Sequence, residues 1–287
     1  MQQGHIRANG IDFAFLEAGS GPLALLLHGY PDNAWTWEHQ IPALADAGYR
    51  VVAPFLRGYP PSEVVAGGYH DRATLALDIA GLIKALNGDE PCCLVGQDWG
   101  AALSYGVLAA FPERVRRAVL MAVPHPAIIA SSLTSPAQIH RAFHWWFFQL
   151  PNLPEQVVPA DDFAFIDYLW NDWSPDHDDR AHIARVKTML ARPGAVAATL
   201  DYYRAALNPT RQDPALADLR ARLDDPITVP TLALCGADDV RAGPMAAQAD
   251  RFSGSYRFDV LPGCGHFLHR ERPDEITRRI LEWLKDA

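Results

Sequence analysis

A pentapeptide in the first half of the chain has the residue types and spacing of a catalytic turn. Gly96-Gln97-Asp98-Trp99-Gly100 follows an apolar run that favours a β-strand and precedes a stretch rich in helix formers. Two glycines at this spacing let a strand and a helix approach so closely that the middle residue lies on a strained turn, as in a nucleophile elbow. The middle residue is usually serine, and here it is Asp98.

A carboxylate at the elbow favours attack on an sp³ carbon. Asp98 would form an alkyl ester, as in the opening of an epoxide or the displacement of a halide. The plainer interpretation is that Asp98 caps the following helix, a common task of aspartate at a strand–helix turn. The pentapeptide alone does not decide between the two, so the interpretation depends on partner residues elsewhere in the chain.

The sequence around the elbow alternates between strand and helix patterns. One apolar strand per unit predicts an α/β fold with a mostly parallel sheet flanked by helices. The predicted strands are 11–17, 23–27, 50–54, 92–95, 118–123, 231–235 and 256–261, and the predicted helices are 35–47, 74–86, 101–110, 244–251 and 276–284.

The middle of the chain breaks this alternation. It is aromatic-rich, has helical spacing and offers no clear strand. We interpret it as a helical cap inserted between two sheet strands. The predicted organisation is an N-terminal core part (1–123), the cap (124–209) and a C-terminal core part (210–287).

Composition limits the function classes open to the 287-residue chain. Its 49% hydrophobic and 21% charged residues are typical of a soluble globular enzyme. A net charge of −9 without a basic run argues against nucleic acid and membrane surfaces as partners. We see neither a signal peptide nor an apolar span long enough for a membrane helix. The four cysteines lie in or beside predicted strands, which predicts buried free thiols in a reducing cytoplasm.

Three motifs together resemble the α/β-hydrolase superfamily, specifically its epoxide hydrolase and haloalkane dehalogenase branch. They are His28-Gly29-Tyr30-Pro31, Gly96-Gln97-Asp98-Trp99-Gly100 and Gly263-Cys264-Gly265-His266-Phe267, in the family's order and spacing. The resemblance covers nearly the whole chain, and the stretch from Trp35 to Tyr59 is most similar to epoxide hydrolases. It implies the α/β-hydrolase fold with an inserted helical cap, and a chemistry that requires neither metal nor cofactor.

The resemblance implies a catalytic triad. Asp98 would be the nucleophile, and His266 the general base that activates water against the ester. Asp239 matches the family's G-x-x-D after a strand and would orient His266 through the other ring nitrogen. Asp238 is the alternative acid in the neighbouring register. We predict Asp239 for this role.

An oxyanion that develops on the Asp98 ester requires preorganised N–H donors. The backbone N–H groups of Tyr30 and Trp99 are the predicted donors, because Pro31 has none. We expect His28 to bond its own loop rather than take part in the reaction.

The resemblance also implies two cap side chains that hydrogen-bond the epoxide oxygen, usually tyrosines. Tyr203 in Asp201-Tyr202-Tyr203-Arg204 matches the second, whereas the first aligned position holds His144. His144-Trp145 is similar both to bacterial epoxide hydrolases with a His/Tyr pair and to fluoroacetate dehalogenases, which hold the halide with His, Trp and Tyr.

Dehalogenases differ from this chain at further positions. Haloacetate dehalogenases place arginines where this chain has Trp99 and Ala102, and haloalkane dehalogenases place an asparagine where it has Gly29. Trp99 keeps the haloalkane alternative open, because those enzymes bind halide through such an indole. We therefore predict an epoxide hydrolase, with a hydrolytic dehalogenase as the alternative and a non-catalytic ligand-binding relative as a third hypothesis.

The expected partners are a small apolar electrophilic substrate and water. Tyr30, Trp99 and Trp145 are the residues predicted to contact this substrate. Apolar cap surface would allow a homodimer, although no motif in the sequence indicates one.

Overall fold

Strands in the described part of the chain form one eight-stranded sheet in the computed structural model, which describes residues 1–132 and 135–285. The strands are β1 Gln2–Ala8, β2 Ile11–Ala18, β3 Leu23–Leu27, β4 Arg50–Pro54, β5 Cys92–Gln97, β6 Val115–Met121, β7 Thr231–Gly236 and β8 Tyr256–Leu261. Their spatial order is β1-β2-β4-β3-β5-β6-β7-β8. The pairs β1–β2 and β2–β4 are antiparallel, and the other neighbours are parallel. The α/β class with a mostly parallel sheet is confirmed.

Helices flank this sheet or lie in a long insertion between two of its strands. They are α1 Gln40–Asp46, α2 Arg72–Asn87, α3 Trp99–Ala110, α4 Pro126–Ser132, α5 Pro136–Arg141, α6 Phe143–Phe147, α7 Leu153–Val157, α8 Ala160–Trp173, α9 Arg180–Leu190, α10 Ala195–Leu207, α11 Ala217–Arg222, α12 Ala242–Ala246, α13 Leu268–Glu271 and α14 Pro273–Leu284. Helices α4 to α11 lie between β6 and β7 in the chain, and we call this segment, 126–222, the helical insertion. No helix among the described residues is long and apolar enough to cross a membrane.

Burial explains why the centre of the sheet forms as it does. Every residue of β3 and β5 is buried, as expected of parallel strands covered on both faces. Helix α3 is likewise buried on all sides, so its apolar sequence suits a position against the middle of the sheet. The outer helix α14 instead buries one stripe, in which Ile276, Ile280 and Leu284 recur at intervals of four.

Parallel strands end at the same edge of a sheet, and this edge collects the candidate residues. The loop with Tyr30 follows β3, Asp98 follows β5, Asp239 follows β7 and His266 follows β8. The crevice outside the carboxyl ends of the strands is where open α/β sheets bind ligands. The topology therefore brings together side chains that are far apart in sequence.

Two predicted helices are wrong in their extent. Instead of one helix over 35–47, a 3₁₀ turn at Ala34–Trp37 precedes α1. Pro42 lacks an N–H and fits only the first turn of a helix, so the chain must restart just before it. Pro244 lies in the first turn of α12 for the same reason, and 244–251 divides into α12 and a 3₁₀ turn at Ala249–Arg251.

Candidate active site

Asp98 lies on a left-handed turn between β5 and α3. Its φ of 51° and ψ of −118° are costly for a residue with a side chain. Glycines at two neighbouring positions let the backbone pack closely around this turn. A Cβ on Gly100 would lie 2.1 Å from the Leu27 carbonyl oxygen, and a Cβ on Gly29 would lie 2.4 Å from Asp98 Oδ1. The Asp98 side chain makes no capping hydrogen bond to α3. The helix-capping interpretation of Asp98 is therefore wrong.

The two carboxylate oxygens of Asp98 have different neighbours. The backbone N–H of Tyr30 donates a hydrogen bond of 2.8 Å to Oδ1. Oδ2 lies 3.6 Å from His266 Nε2, which is too long for a direct hydrogen bond. Trp99 is the first residue of α3, where the N–H groups have no partner within the helix. The Tyr30 N–H, one of the two predicted oxyanion donors, therefore already contacts this carboxylate.

His266 connects Asp98 to Asp239. Its Nδ1 lies 2.8 Å from Asp239 Oδ2, and Asp239 Oδ1 accepts a hydrogen bond of 2.8 Å from the backbone N–H of Arg241. Both His266 and Asp239 are buried, whereas Asp238 is exposed. Asp239 is therefore the carboxylate in contact with the imidazole, and His266 Nε2 faces Asp98 with no hydrogen-bond partner among the described residues.

The charges around His266 set its protonation. Burial alone would lower the pKa of His266, but the charge and hydrogen bond of Asp239, together with the nearby Asp98 carboxylate, raise it to about 9. His266 is therefore protonated at neutral pH in the free enzyme. Esterification of Asp98 would remove one of these negative charges and lower the pKa of His266, so that the imidazole could accept a proton from water.

Replacing either carboxylate by its amide should lower the pKa of His266 below the wild-type value of about 9. The decrease should be larger in Asp239→Asn than in Asp98→Asn, because Asp239 contributes both the stronger charge interaction and the stronger hydrogen bond. NMR titration of histidine-labelled protein measures both values, and Asp238→Asn is the matched control. An unchanged pKa in Asp239→Asn would contradict this arrangement.

Linkage gives a second readout of the same pKa. Because the folded-state pKa of His266 exceeds its ordinary value of 6.5, its interactions contribute their full stability below about pH 6.5. That contribution is lost as the pH rises through about 9. The free energy of unfolding, measured in urea, should therefore fall less between pH 6.5 and about 9 in Asp239→Asn than in the wild type.

His144 and Tyr203 lie together in the helical insertion, with ring centroids 5.4 Å apart. Burial, and then the positive charge of Arg241, lower the pKa of His144 well below its ordinary value, so its ring is neutral. Burial, and then the charge of Asp98, raise the pKa of Tyr203 far above its ordinary value. The rings of Trp99 and Tyr203 pack edge-to-face with their centroids 5.1 Å apart.

Two cavities meet at Asp98. The larger one, of about 560 Å³, is lined by Asp98, Ile139, His140, Phe143, His144, Tyr168, Asp172, Trp173, Asp238, Asp239, Val240, Arg241 and His266. The smaller one, of about 120 Å³, is mostly apolar and is lined by Arg72, Asp98, Trp99, Ala102, Val123, Pro126, Ile129, Ala130, Trp145, Ala206, Leu207 and Arg241. A substrate could therefore place a reacting carbon at Asp98 and an apolar group in the smaller cavity.

Of the three residues predicted to contact the substrate, Trp99 and Trp145 line a cavity through their side chains, and Tyr30 does not. Trp145 stacks on Trp99 with ring centroids 5.7 Å apart, and both line the smaller cavity. The Tyr30 side chain is fully buried and packs edge-to-face on Phe148 and Tyr203. Tyr30 therefore approaches the site through its backbone N–H.

His28 has the surroundings expected of a structural residue. Its Nε2 accepts a hydrogen bond of 3.0 Å from the backbone N–H of Leu56, and its Nδ1 lies 3.0 Å from the carbonyl oxygen of Gly29. Burial lowers the pKa of His28 to about 4. A neutral ring with Nε2 as the acceptor agrees with both contacts.

Ser174 and Glu271 hold the His266 loop, and neither was predicted from the sequence. Ser174 of the helical insertion accepts hydrogen bonds of 3.1 Å from the backbone N–H groups of His266 and Phe267, and donates one of 2.6 Å to Glu271. Glu271 also accepts from the N–H of Gly265 at 2.7 Å. Only the fold brings Ser174 to this loop, so no sequence signal could have identified it. Arg241 was also missed, although it lies only two positions after Asp239.

Comparisons with known proteins identify the family of the chain. A model of the alpha/beta hydrolase family matches residues 24–279. AB hydrolase superfamily protein YfhM of Bacillus subtilis is 30% identical, over 98% of this chain and 97% of its own length. Epoxide hydrolase A of Mycobacterium tuberculosis is 30% identical, over 97% of this chain and 96% of its own length. The crystal structure of epoxide hydrolase A from Mycobacterium thermoresistibile has a TM-score of 0.82 at 27% identity, covering 99% of this chain and 98% of that one.

Proposed function

The chain belongs to the alpha/beta hydrolase family, and we propose that it is an epoxide hydrolase that converts an apolar epoxide to a vicinal diol. The observation that carries this proposal is the setting of Asp98. One oxygen of its carboxylate accepts from the Tyr30 N–H, and the other faces His266 across 3.6 Å at the edge of a cavity. Similarity to proteins named epoxide hydrolase over nearly the whole chain supports the proposal.

In the first step, Asp98 Oδ2 attacks an epoxide carbon and the ring C–O bond breaks. The electron pair of that bond moves to the epoxide oxygen. Tyr203 and neutral His144 donate hydrogen bonds to this oxygen, which stays on the neighbouring carbon and becomes a hydroxyl by taking the Tyr203 proton. Tyr203 then regains a proton from solvent. The product is an ester of Asp98 in which Oδ1, already held by the Tyr30 N–H, is the carbonyl oxygen.

In the second step, His266 takes a proton from water and the resulting hydroxide attacks the ester carbon of Asp98. His266 Nε2 lies 3.6 Å from Asp98 Oδ2, so the base is directed at the ester that the water attacks. Negative charge then develops on Oδ1, where the N–H groups of Tyr30 and Trp99 stabilise it. Collapse of this intermediate releases the diol and restores the Asp98 carboxylate, while Asp239 stabilises protonated His266.

We further propose that residues 124–209 act as the cap of this enzyme. The helical insertion supplies His144, Trp145 and Tyr203 to the site, and its Trp170 side chain donates a hydrogen bond of 3.0 Å to the Pro31 carbonyl oxygen. His182, also in the insertion, lies 2.6 Å from buried Asp32. These contacts join the insertion to the loop that carries Tyr30, so the shape of the substrate site depends on both.

A hydrolytic dehalogenase is the alternative function, favoured by the stacked indoles of Trp99 and Trp145 beside Asp98. Tyr203 and neutral His144 offer O–H and N–H donors suited to an epoxide oxygen. The arrangement therefore favours epoxide opening over halide displacement.

Wild-type protein should hydrolyse styrene oxide and release no bromide from 2-phenylethyl bromide. Tyr203→Phe should lower kcat for the epoxide about 100-fold, because it removes one donor to the developing oxyanion. Diol formation is followed by chromatography and bromide by ion-selective electrode. Tyr256→Phe is the matched control, because Tyr256 lies on the last strand, β8. Bromide release with no diol formation would replace the proposal by the dehalogenase.

A further inference from the structure

Arg241 is a buried cation in the larger cavity, and its side chain has no anionic partner in the described part of the chain. Only 6% of its surface is exposed, and its Nη1 is buried with no hydrogen-bond partner among the described residues. Burial of a charged group without a partner is costly. A native residue in this state indicates that something else supplies the anion.

The other buried arginines of the described chain show what Arg241 lacks. Arg57 pairs with Asp78 at 2.6 Å, Arg204 pairs with Glu155 at 2.6 Å, and Arg270 contacts Glu38 at 2.8 Å. None of these six side chains lines either of the cavities that meet at Asp98. Arg241 alone among these four described arginines faces these cavities, which indicates a ligand-binding role rather than a structural one.

Arg241 lies close to the groups proposed to react with the epoxide. It lines both cavities that meet at Asp98. Its charge also contributes, after burial, to the low pKa of His144, so the guanidinium lies near a group proposed to bind the epoxide oxygen. An anion bound by Arg241 would therefore be close to the epoxide ring.

The carboxylates that line the larger cavity do not pair with Arg241. Asp98 accepts from the Tyr30 N–H, and Asp239 is engaged by His266 and by the backbone N–H of Arg241. Asp172 and Asp238 are exposed. None of these four carboxylates forms an ion pair with the Arg241 side chain in the described residues, which leaves its donors available to a ligand.

We propose that Arg241 binds a carboxylate on the substrate, so that the substrate class is an epoxide with a carboxylate near the ring and an apolar remainder. This inference rests on the proposed function. A guanidinium binds a carboxylate through two parallel hydrogen bonds. One arginine balances one negative charge, and the net charge of −9 disfavours a dianion such as a phosphate monoester. The apolar remainder would occupy the smaller cavity beside Trp99 and Trp145.

A matched pair of substrates tests the role of Arg241 in turnover. The wild type should prefer 3-phenylglycidate over 3-phenylglycidamide by roughly 10- to 100-fold in kcat/KM, as expected for hydrogen bonds between charged groups. Arg241→Gln should abolish most of this preference through a higher KM for the acid, and Arg241→Lys should restore part of it. Arg180→Gln, at an exposed arginine of the helical insertion, should keep the wild-type preference.

Binding of unreactive analogues separates this inference from the proposed function. By calorimetry, the wild type should bind 3-phenylpropanoate more tightly than 3-phenylpropanamide, and Arg241→Gln should lose that difference. Equal binding of acid and amide by the wild type, or equal weakening of both by Arg241→Gln, would overturn the inference and leave epoxide opening intact. Arg241-dependent binding of the acid without turnover of any epoxide would keep the carboxylate site and overturn the proposed function.

Discussion

Asp98→Asn should abolish epoxide hydrolysis, with kcat lowered about 10⁴-fold or more, as for the loss of other catalytic nucleophiles. A neutral amide oxygen is too weak a nucleophile to open an unactivated epoxide. The fold should survive, since asparagine has the same size and shape as the aspartate it replaces, and its carbonyl oxygen can still accept from the Tyr30 N–H. The loss should therefore appear in kcat rather than in melting temperature.

Slow deamidation of the introduced asparagine would return the wild-type nucleophile, so intact mass must accompany each Asp98→Asn assay. Asp98→Ala, which cannot revert in this way, should be equally inactive. Asp238→Asn removes a carboxylate that lines the same cavity, and it should remain far more active than either variant. A fully active Asp98→Asn with no mass change would show that Asp98 is not the nucleophile.

The sequence predicts best those features that depend on local patterns. The apolar runs of β3 and β5 identify buried parallel strands, and Gly96 and Gly100 identify the turn between β5 and α3. Strand β1 was missed because six of its seven residues are wholly or partly exposed, so it carries no core pattern. A signal was present, since Asn9 and Gly10, with φ of 45° and 77°, form the tight turn that joins β1 to β2.

Features of the site that depend on tertiary contacts could be predicted only by resemblance. Spacing and family pattern put Asp239 beside His266, and the structure places them 2.8 Å apart. Nothing local to Ser174 indicates that it reaches this edge of the sheet, because its position results from how the helical insertion packs. Arg241 lies two positions after Asp239, but nothing local indicates that its side chain is buried. The bounds of the cap stay a prediction, and so do the catalytic roles, which the point variants test.

His266→Gln should separate the two steps of the reaction. Asp98, His144 and Tyr203 are intact in this variant, so ring opening should proceed and the Asp98 ester should form. Glutamine is a poor base, so hydrolysis of the ester should slow by about 10³-fold. The enzyme should therefore convert one equivalent of epoxide and then stop.

Intact-protein mass spectrometry of His266→Gln after incubation with an epoxide measures this directly. The expected gain is the mass of one whole epoxide, since ring opening expels no atom, and it should be absent when Asp98→Ala is combined with His266→Gln. His5→Gln, at an exposed histidine of β1, is the matched control and should accumulate no adduct. Two results would contradict the scheme: wild-type turnover by His266→Gln, or an adduct that survives Asp98→Ala. A gain from a bromoalkane equal to its alkyl group alone would instead establish displacement of halide by the same aspartate, since a halide leaves the protein whereas an epoxide oxygen cannot.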